Sequence, residues 1–304
     1  MQLRVAATAL NLRSEPRVAP NNRLAVLPQG HWVTARDSAV TPWKHADTVV
    51  GGTPVTGFVH GAYLTSEVLA ISGFDRVEPV HLREDRPEVT PLTTSGRAFP
   101  IGDPNRPRLT ASRSDERCRQ LASIIDYLNV EVSARYAARG ATTYCNVYAY
   151  DYCYLAGAYL PRVWWKDAAL ERLGHGEHVV PRYDDTLREL RANDLYDWFT
   201  DFGERFGWQR SFDIGDVQLQ ANEGRVGVIV AQRSQLGRPG HISLVVPESP
   251  GHSATRARSR VVRPLQSQAG RKNWRYSSGS RRWWQGSQFR AFGFWVAGLT
   301  VDTG

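Results

Sequence analysis

The chain has 304 residues, of which 41% are hydrophobic and 22% charged, and a formal net charge of +8 at pH 7. This length allows one large domain or two ordinary ones with a sizeable buried core. No run of about 18 apolar residues occurs, so a membrane span is not expected. The first residues also lack the apolar core of a signal peptide.

The excess of positive charge favours an anionic partner, such as nucleic acid, an acidic lipid surface or an anionic cell-wall polymer. Of the 38 basic side chains only Lys44, Lys166 and Lys272 are lysines. The arginines are scattered along the chain, and no zinc-finger, basic-zipper or RNP signature is present. Nucleic acid is therefore not an expected partner.

The first part of the chain, residues 1–69, has β-rich runs at 31–35 and 55–59 separated by glycines at close intervals. This spacing predicts a small all-β barrel. The proline-rich stretch at residues 70–112 resists regular structure. We expect it to form a semi-rigid linker that wraps along the surface.

The third part, residues 113–304, changes from helical to strand periodicity. Helices are predicted from 112–115 to 128, over 146–156, over 187–206 and over 213–224. Strand runs follow at 226–232, 240–247, 259–266 and 292–296. Helices followed by an antiparallel sheet define an α+β class.

The chain has three cysteines, Cys118, Cys145 and Cys153. This odd and small number argues against a disulfide framework. Their spacing fits no metal site, and no cofactor or metal is expected. Cys145 follows Thr142 and Thr143, either of which would serve as N-cap of the next helix. In a first turn the helix dipole favours a thiolate, which predicts a nucleophile. Cys118 and Cys153 are interpreted as core residues.

A cysteine nucleophile needs a base, and the base needs a third group that orients it. Of the eight histidines, His241 alone starts a predicted strand after a glycine turn, so it is the predicted base. Gln266 and Gln268 come from the next strand run, where a carboxamide oxygen would accept the second imidazole N–H. Glu248, at the end of the histidine strand, is the weaker alternative.

Three motifs resemble the papain-like cell-wall hydrolases of the CHAP and NlpC type. The sequence TYCNVY at 143–148, with Tyr136 upstream, is similar to the CHAP pattern YPxGxCTWY. GHISLV at 240–245 is similar to GHVAIV, and LQSQ at 265–268 falls where these families carry IxEQN. The resemblance covers the cysteine helix, two strands and the order of elements in residues 113–304. Because the Glu and Asn of the last pattern are not both present, the third catalytic residue stays open between Gln266 and Gln268.

Residues 1–69 resemble bacterial SH3 domains at four places in the right order. These are LNLRSEP at 10–16, LPQGHWV at 27–33, WK at 43–44 and GFVHGAYL at 57–64. In that family such modules bind cell-wall peptides or pack against a catalytic domain. A structural spacer without a ligand is the alternative, since a fold does not determine a function.

The resemblance implies cleavage of an amide bond in peptidoglycan, either the muramoyl-alanine bond or one within the stem peptide. Cys145 would attack the carbonyl carbon, and its backbone N–H, with the Tyr136 hydroxyl, would stabilise the oxyanion. His241 would then protonate the leaving amine, and water would hydrolyse the thioester.

Further residues are assigned to substrate binding. Asn146 follows the nucleophile and is expected to shape the groove. The aromatic pairs Trp164–Trp165 and Trp283–Trp284 are candidates for stacking on glycan rings, with core or interface packing as the alternative.

Peptidoglycan is the expected partner, and an immunity or delivery protein is a further candidate. Without a signal peptide the protein would reach the wall as a phage-type lysin or as a toxin exported by a secretion apparatus. A protein-acting cysteine protease, deamidase or transglutaminase-like toxin would use the same catalytic pair. A non-catalytic wall-binding protein is the third alternative, against which the presence of both Cys145 and His241 argues.

Overall fold

The computed structural model describes residues 1–7, 9–28, 31–66, 77–83, 85–90, 97 and 99–298. The predicted α+β class is confirmed: a seven-stranded antiparallel sheet near the N-terminus is followed by helices and a six-stranded antiparallel sheet. No helix in the described ranges is both long and apolar enough to cross a bilayer.

The N-terminal sheet consists of β1 (Gln2–Val5), β2 (Ala9–Arg13), β3 (Arg23–Pro28), β4 (Trp32–Asp37), β5 (Trp43–Val50), β6 (Thr53–His60) and β7 (Leu64–Ser66). The strand order is β3-β2-β6-β5-β4-β1-β7. Alternate side chains from all seven strands meet in one core, made of Leu3, Val5, Leu10, Leu12, Leu27, Val33, Ala35, Ala46, Val59 and Leu64. A sheet that encloses its own core in this way has to curve. Gln29 and Gly30 of the predicted LPQG turn, and residues 67–69, lie outside the described residues.

The proline-rich stretch is more than a surface linker. Val77, Val80, Leu82 and Val89 are buried in the same core as the helices of the C-terminal part. Each buried aliphatic side chain of this size contributes about 1.5–3 kcal/mol relative to an exposed one. The described part of the stretch is therefore anchored to the C-terminal unit, although it forms no regular strand.

The C-terminal part has five α-helices in the described ranges: α1 (Ser114–Leu128), α2 (Cys145–Leu155), α3 (Asp167–Gly174), α4 (Ala192–Asp201) and α5 (Ile214–Asn222). The helix predicted over 187–206 is shorter than expected. The backbone of Arg191 is extended, and its N–H donates to Asp194 Oδ2 at 2.7 Å, which starts a new helix there. The residues before it, Leu187–Glu189, form a strand.

Ten strands accompany these helices. They are β8 (Val163–Trp165), β9 (Leu187–Glu189), β10 (Trp208–Ser211), β11 (Gly227–Arg233), β12 (His241–Val245), β13 (Thr255–Ala257), β14 (Arg260–Arg263), β15 (Gln266–Gln268), β16 (Trp274–Ser277) and β17 (Phe289–Ala297). The main sheet has the order β10-β17-β11-β12-β15-β16, while β8 pairs with β9 and β13 with β14.

The strand predicted over 259–266 is split into two. Arg260–Arg263 belongs to a separate hairpin, and Gln266–Gln268 enters the main sheet beside β12. Pro264 stands between them and has no N–H to donate to a ladder, which explains the break.

The two faces of the main sheet bury different helices. Ile242 and Leu244 of β12 lie in the large core that also contains α2 and α4. Val245 faces the opposite side, in a smaller core with residues of α5. Helix α2 contacts β12 and β15 directly, so the start of the helix and the start of β12 are held at the same end of the sheet.

Candidate active site

Cys145 is the first residue of α2. The predicted threonine cap is wrong: Tyr144, and neither Thr142 nor Thr143, occupies the N-cap position, and it makes no side-chain cap bond. Thr142 is instead held in a tight turn by two backbone hydrogen bonds to Arg139, each 3.0 Å long. The first-turn amides of a helix have no acceptor within the helix, so the thiol lies in the electropositive region that was predicted.

The Cys145 side chain is hydrogen-bonded to the imidazole of His241, the first residue of β12. The backbone N–H groups of Asn146 and Ile242 also donate to the sulfur. The two residues, 96 positions apart in the chain, are therefore brought together as the sequence predicted. A sulfur with three donors is suited to carry negative charge.

The electrostatics favour a thiolate–imidazolium pair. Burial opposes ionisation of Cys145, but the charge and hydrogen bond of His241 outweigh it and lower the pKa of the thiol. Burial likewise disfavours the protonated imidazole, but the Cys145 sulfur and the Gln268 side chain raise the pKa of His241. Each partner stabilises the charged form of the other, which is the activated state of a cysteine nucleophile.

Gln268 is the third member of the group. Its Oε1 lies 2.7 Å from His241 Nε2, which leaves Nδ1 as the ring nitrogen for the sulfur. The carboxamide is itself oriented, because its Nε2 donates to the backbone oxygen of Lys272 at 3.2 Å. Gln268 is buried, so this contact is shielded from water.

The other two candidates for the third position lie elsewhere. Gln266 accepts a hydrogen bond from Trp283 Nε1 at 2.9 Å and does not contact the imidazole. Glu248 is bound by Arg256 and Asn222. Of the three polar residues that the sequence left open, only Gln268 orients His241.

Trp283 is an aromatic neighbour of the base. Its ring packs edge-on against the His241 imidazole with a centroid separation of 4.6 Å. Gln266 accepts the indole N–H of Trp283, so this glutamine is one contact removed from the imidazole. Trp284, its neighbour, is buried in the smaller core that contains α5 residues, and Trp283 packs against the same core.

Sequence reasoning missed the group that positions the turn before His241. Asn193, on α4, donates from Nδ2 to the backbone oxygens of Leu236 and Arg238 at 3.1 and 2.9 Å. Its Oδ1 accepts from the backbone N–H of Arg233 at 2.9 Å. One buried amide thus fixes both ends of the β11–β12 loop, and no local sequence signal indicates this pairing.

Tyr136 is buried away from the sulfur. Its hydroxyl donates to Asp151 Oδ2 at 2.8 Å, and Arg135 forms an ion pair with the same carboxylate. Burial and the Asp151 charge raise the pKa of Tyr136, so the phenol stays protonated. The predicted role of Tyr136 in the oxyanion site is therefore not supported, because its hydroxyl proton is already donated to Asp151.

The predicted substrate-binding residues separate into two groups. Asn146 lines the cavity beside Cys145, with its Nδ2 donating to the Leu190 backbone oxygen at 2.9 Å. Trp164 is buried among the aromatic rings of Trp198, Phe202 and Phe206. Trp165 is also buried and lines a different cavity, so neither tryptophan reaches the groove at Cys145.

Two adjoining cavities form the two halves of a groove at the catalytic pair. One cavity of about 780 Å³ contains Cys145, and a second of about 620 Å³ contains His241 and Gln268. The two share the residues Ala141, Thr143, Arg238, Pro239 and Gly240 as a common wall. The sulfur and the imidazole thus lie where the two halves meet.

Comparisons of the chain with protein-family models, with curated proteins and with solved structures found no match. Function is therefore inferred from the geometry of Cys145, His241 and Gln268 and from the sequence motifs that carry the resemblance.

Proposed function

We propose that the protein is a cysteine-dependent hydrolase that cleaves an amide bond in peptidoglycan. The observation that carries this proposal is the arrangement of three side chains. A thiol at a helix start is hydrogen-bonded to an imidazole whose other nitrogen is held by a buried carboxamide. This arrangement supplies a nucleophile, a base and an orienting group.

The reaction would begin with attack of the Cys145 sulfur on the amide carbonyl carbon. The negative charge that develops on the carbonyl oxygen would be stabilised by the Cys145 backbone N–H, one of the unpaired amides of the first turn. His241, protonated in the ion pair, would donate its proton to the leaving nitrogen as the C–N bond breaks. Water, deprotonated by His241, would then hydrolyse the thioester and restore the thiolate.

The choice of peptidoglycan depends on the sequence resemblance and on the N-terminal unit. The curved sheet of residues 1–66 carries the motifs that resemble bacterial SH3 domains. It packs directly against the C-terminal part, where Thr65 Oγ1 donates to the Thr200 backbone oxygen and the Tyr63 and Phe212 rings are 4.7 Å apart. A wall-recognition unit fixed to a papain-like hydrolase would bring the groove to its polymer.

The test is digestion of purified sacculi with the intact protein and with Cys145→Ala. We expect new fragments from the intact protein only, with one new amino group and one new carboxyl group for each bond cleaved, and mass spectrometry of the fragments would identify the bond. Cys153→Ala is the matched control, because Cys153 is a fully buried core residue. If sacculi stay intact while a protein substrate is cleaved or deamidated at a Cys145-dependent rate, the wall assignment is wrong.

A further inference from the structure

The two halves of the groove differ in charge. Among the described residues, the lining of the His241 half includes five basic side chains and no carboxylate: Arg233, Arg238, Arg271, Lys272 and Arg281. The Cys145 half also has basic side chains, but it contains Glu189, whose carboxylate is bound by Arg162 at 2.6 Å. The excess of positive charge is therefore greatest on the side of the base.

Four of these cations are free to bind a ligand. They are exposed, and none forms an ion pair with a carboxylate in the described part of the chain: Arg238, Arg271, Lys272 and Arg281. Other exposed arginines of the protein do have acidic neighbours, such as Arg113 with Asp115. Unpaired cations gathered in a groove raise the local concentration of anions and discriminate against neutral ligands.

Two of these cations come from a turn beside the base. Arg271 and Lys272 lie in the turn after β15, whose backbone is held by a hydrogen bond from Gly270 N–H to Asn273 Oδ1 at 2.8 Å. A Cβ at Gly270 would lie 3.6 Å from His241 Cε1, so the turn is in van der Waals range of the imidazole. The Lys272 backbone oxygen also orients Gln268. The turn is thus linked to Gln268 by a hydrogen bond and lies next to His241.

The order of the reaction steps determines which part of the substrate lies in the His241 half of the groove. During acyl transfer the sulfur bonds to the carbonyl carbon while the imidazole gives its proton to the departing nitrogen. The amine portion of the substrate therefore has to lie on the His241 side of the sulfur. The acyl portion extends into the half that contains Asn146.

We propose that the His241 half of the groove binds a leaving group that bears free carboxylates, such as an acidic amino acid or acidic peptide. This inference rests on the proposed amide hydrolysis by Cys145 and specifies which side of the scissile bond carries the negative charge. The enzyme then favours amides whose amine portion is anionic over the same amides with those carboxylates blocked as carboxamides.

The first experiment needs no turnover. Iodoacetate and iodoacetamide have the same leaving group and differ by one negative charge, so the ratio of their rates at Cys145 reports the local anion preference. We expect the triple variant Arg271→Gln, Lys272→Gln, Arg281→Gln to lower this ratio about fivefold, since each exposed charge pair contributes little alone. The effect should vanish in about 1 M salt, where the screening length is about 3 Å.

The control is the triple variant Arg17→Gln, Arg113→Gln, Arg119→Gln, which removes the same net charge from highly exposed positions elsewhere. It should leave the ratio unchanged. An equal ratio in the groove variant and the parent protein would overturn the inference. Because alkylation does not require the wall substrate, this result is separate from success or failure of sacculus digestion.

The second experiment uses two stem peptides that differ only in whether the carboxylates on the amine side of the cleaved bond are free or amidated. We expect the parent protein to prefer the free acid in kcat/KM by about tenfold and the groove variant to lose this preference. Cleavage of both peptides at the same rate by the parent protein would show that the leaving group is not recognised by charge.

Discussion

The Oε1 atom of Gln268 lies 2.7 Å from Nε2 of His241, and the Gln268 amide nitrogen is held by the Lys272 backbone oxygen. The second contact determines the first, because a carboxamide held by its N–H group presents its oxygen to the ring. An acceptor at Nε2 requires a proton there, so Nδ1 is the atom that exchanges its proton with the sulfur. One residue thus selects both the ring orientation and the tautomer of the base.

Replacing Gln268 by Ala should lower kcat about 5- to 30-fold, which corresponds to the loss of about one to two kcal/mol from a buried hydrogen bond that orients the base. Gln268→Glu places a carboxylate on the imidazolium, which favours the charged ring and raises the pKa of His241. The basic limb of the pH–kcat/KM profile should then move to higher pH. Gln266→Ala is the control from the same strand; it should leave that limb in place, because Gln266 binds Trp283 instead.

Alkylation by iodoacetamide should distinguish the three cysteines. At about pH 6, well below an ordinary thiol pKa of about 8.5, Cys145 should react while Cys118 and Cys153 do not. The reason is that the His241 interaction lowers the pKa of Cys145, whereas burial raises the pKa of Cys118 and of Cys153. Labelling is measured by peptide mass spectrometry over a pH series.

The variant His241→Ala tests the cause of that reactivity. Without the imidazole only burial and the backbone donors act on the sulfur, so the pKa of Cys145 should rise and its labelling at about pH 6 should fall by about tenfold or more. In the parent protein hydrolysis should fall at both ends of the pH range. Protonation of the thiolate removes the nucleophile at low pH, and deprotonation of the imidazolium removes the acid at high pH. Unchanged labelling in His241→Ala would mean that the histidine does not activate the thiol.

The sequence predicted the Cys145–His241 pairing because Cys145 begins a helix-compatible run and His241 begins a strand run after a glycine turn. It could not separate Gln266 from Gln268, since residues two apart on a strand face the same side. The strand register decides between them: Gln266 lies opposite Val245, and Gln268 lies nearer the His241 end of β12. Register is a tertiary property that a single strand does not encode.

Two other features, the buried part of the proline-rich stretch and the contact of Asn193, could not be predicted from the sequence for similar reasons. Proline density predicted an exposed linker, but Val77, Leu82 and Val89 are buried without forming a strand, so periodicity had nothing to detect. Asn193 supports the loop before His241 from a helix about 40 residues earlier, a contact that exists only once α4 packs on β11. The sequence thus predicted the reacting groups better than the residues that position them.

The loop between β11 and β12 has no room for a side chain at Gly240. A Cβ at Gly240 would lie 2.4 Å from Asn193 Oδ1 and 2.6 Å from the Ala231 backbone oxygen, so Gly240→Ala has to displace the backbone next to His241. We expect kcat/KM to fall by about 100-fold, the effect of a displacement of about 1 Å at a catalytic group. Gly237→Ala, in the same loop, meets nothing within 4 Å and should retain activity. Similar loss in both variants would mean that the loop is sensitive to any added methyl group, and circular dichroism would show whether the fold is retained.

The buried Tyr136 hydroxyl provides the last test, which separates a structural role from a catalytic one. Tyr136→Phe removes the hydrogen bond to Asp151 but leaves the carboxylate paired with Arg135. The free energy of unfolding should therefore fall by about 1 kcal/mol. The value of kcat should stay within about twofold, because the hydroxyl does not face the sulfur. Asp151→Ala is the contrasting variant: it leaves the Arg135 guanidinium buried without its partner and should cost about 3–5 kcal/mol. Urea unfolding followed by tryptophan fluorescence measures both. A large fall in kcat for Tyr136→Phe at full stability would instead place the phenol in the oxyanion site.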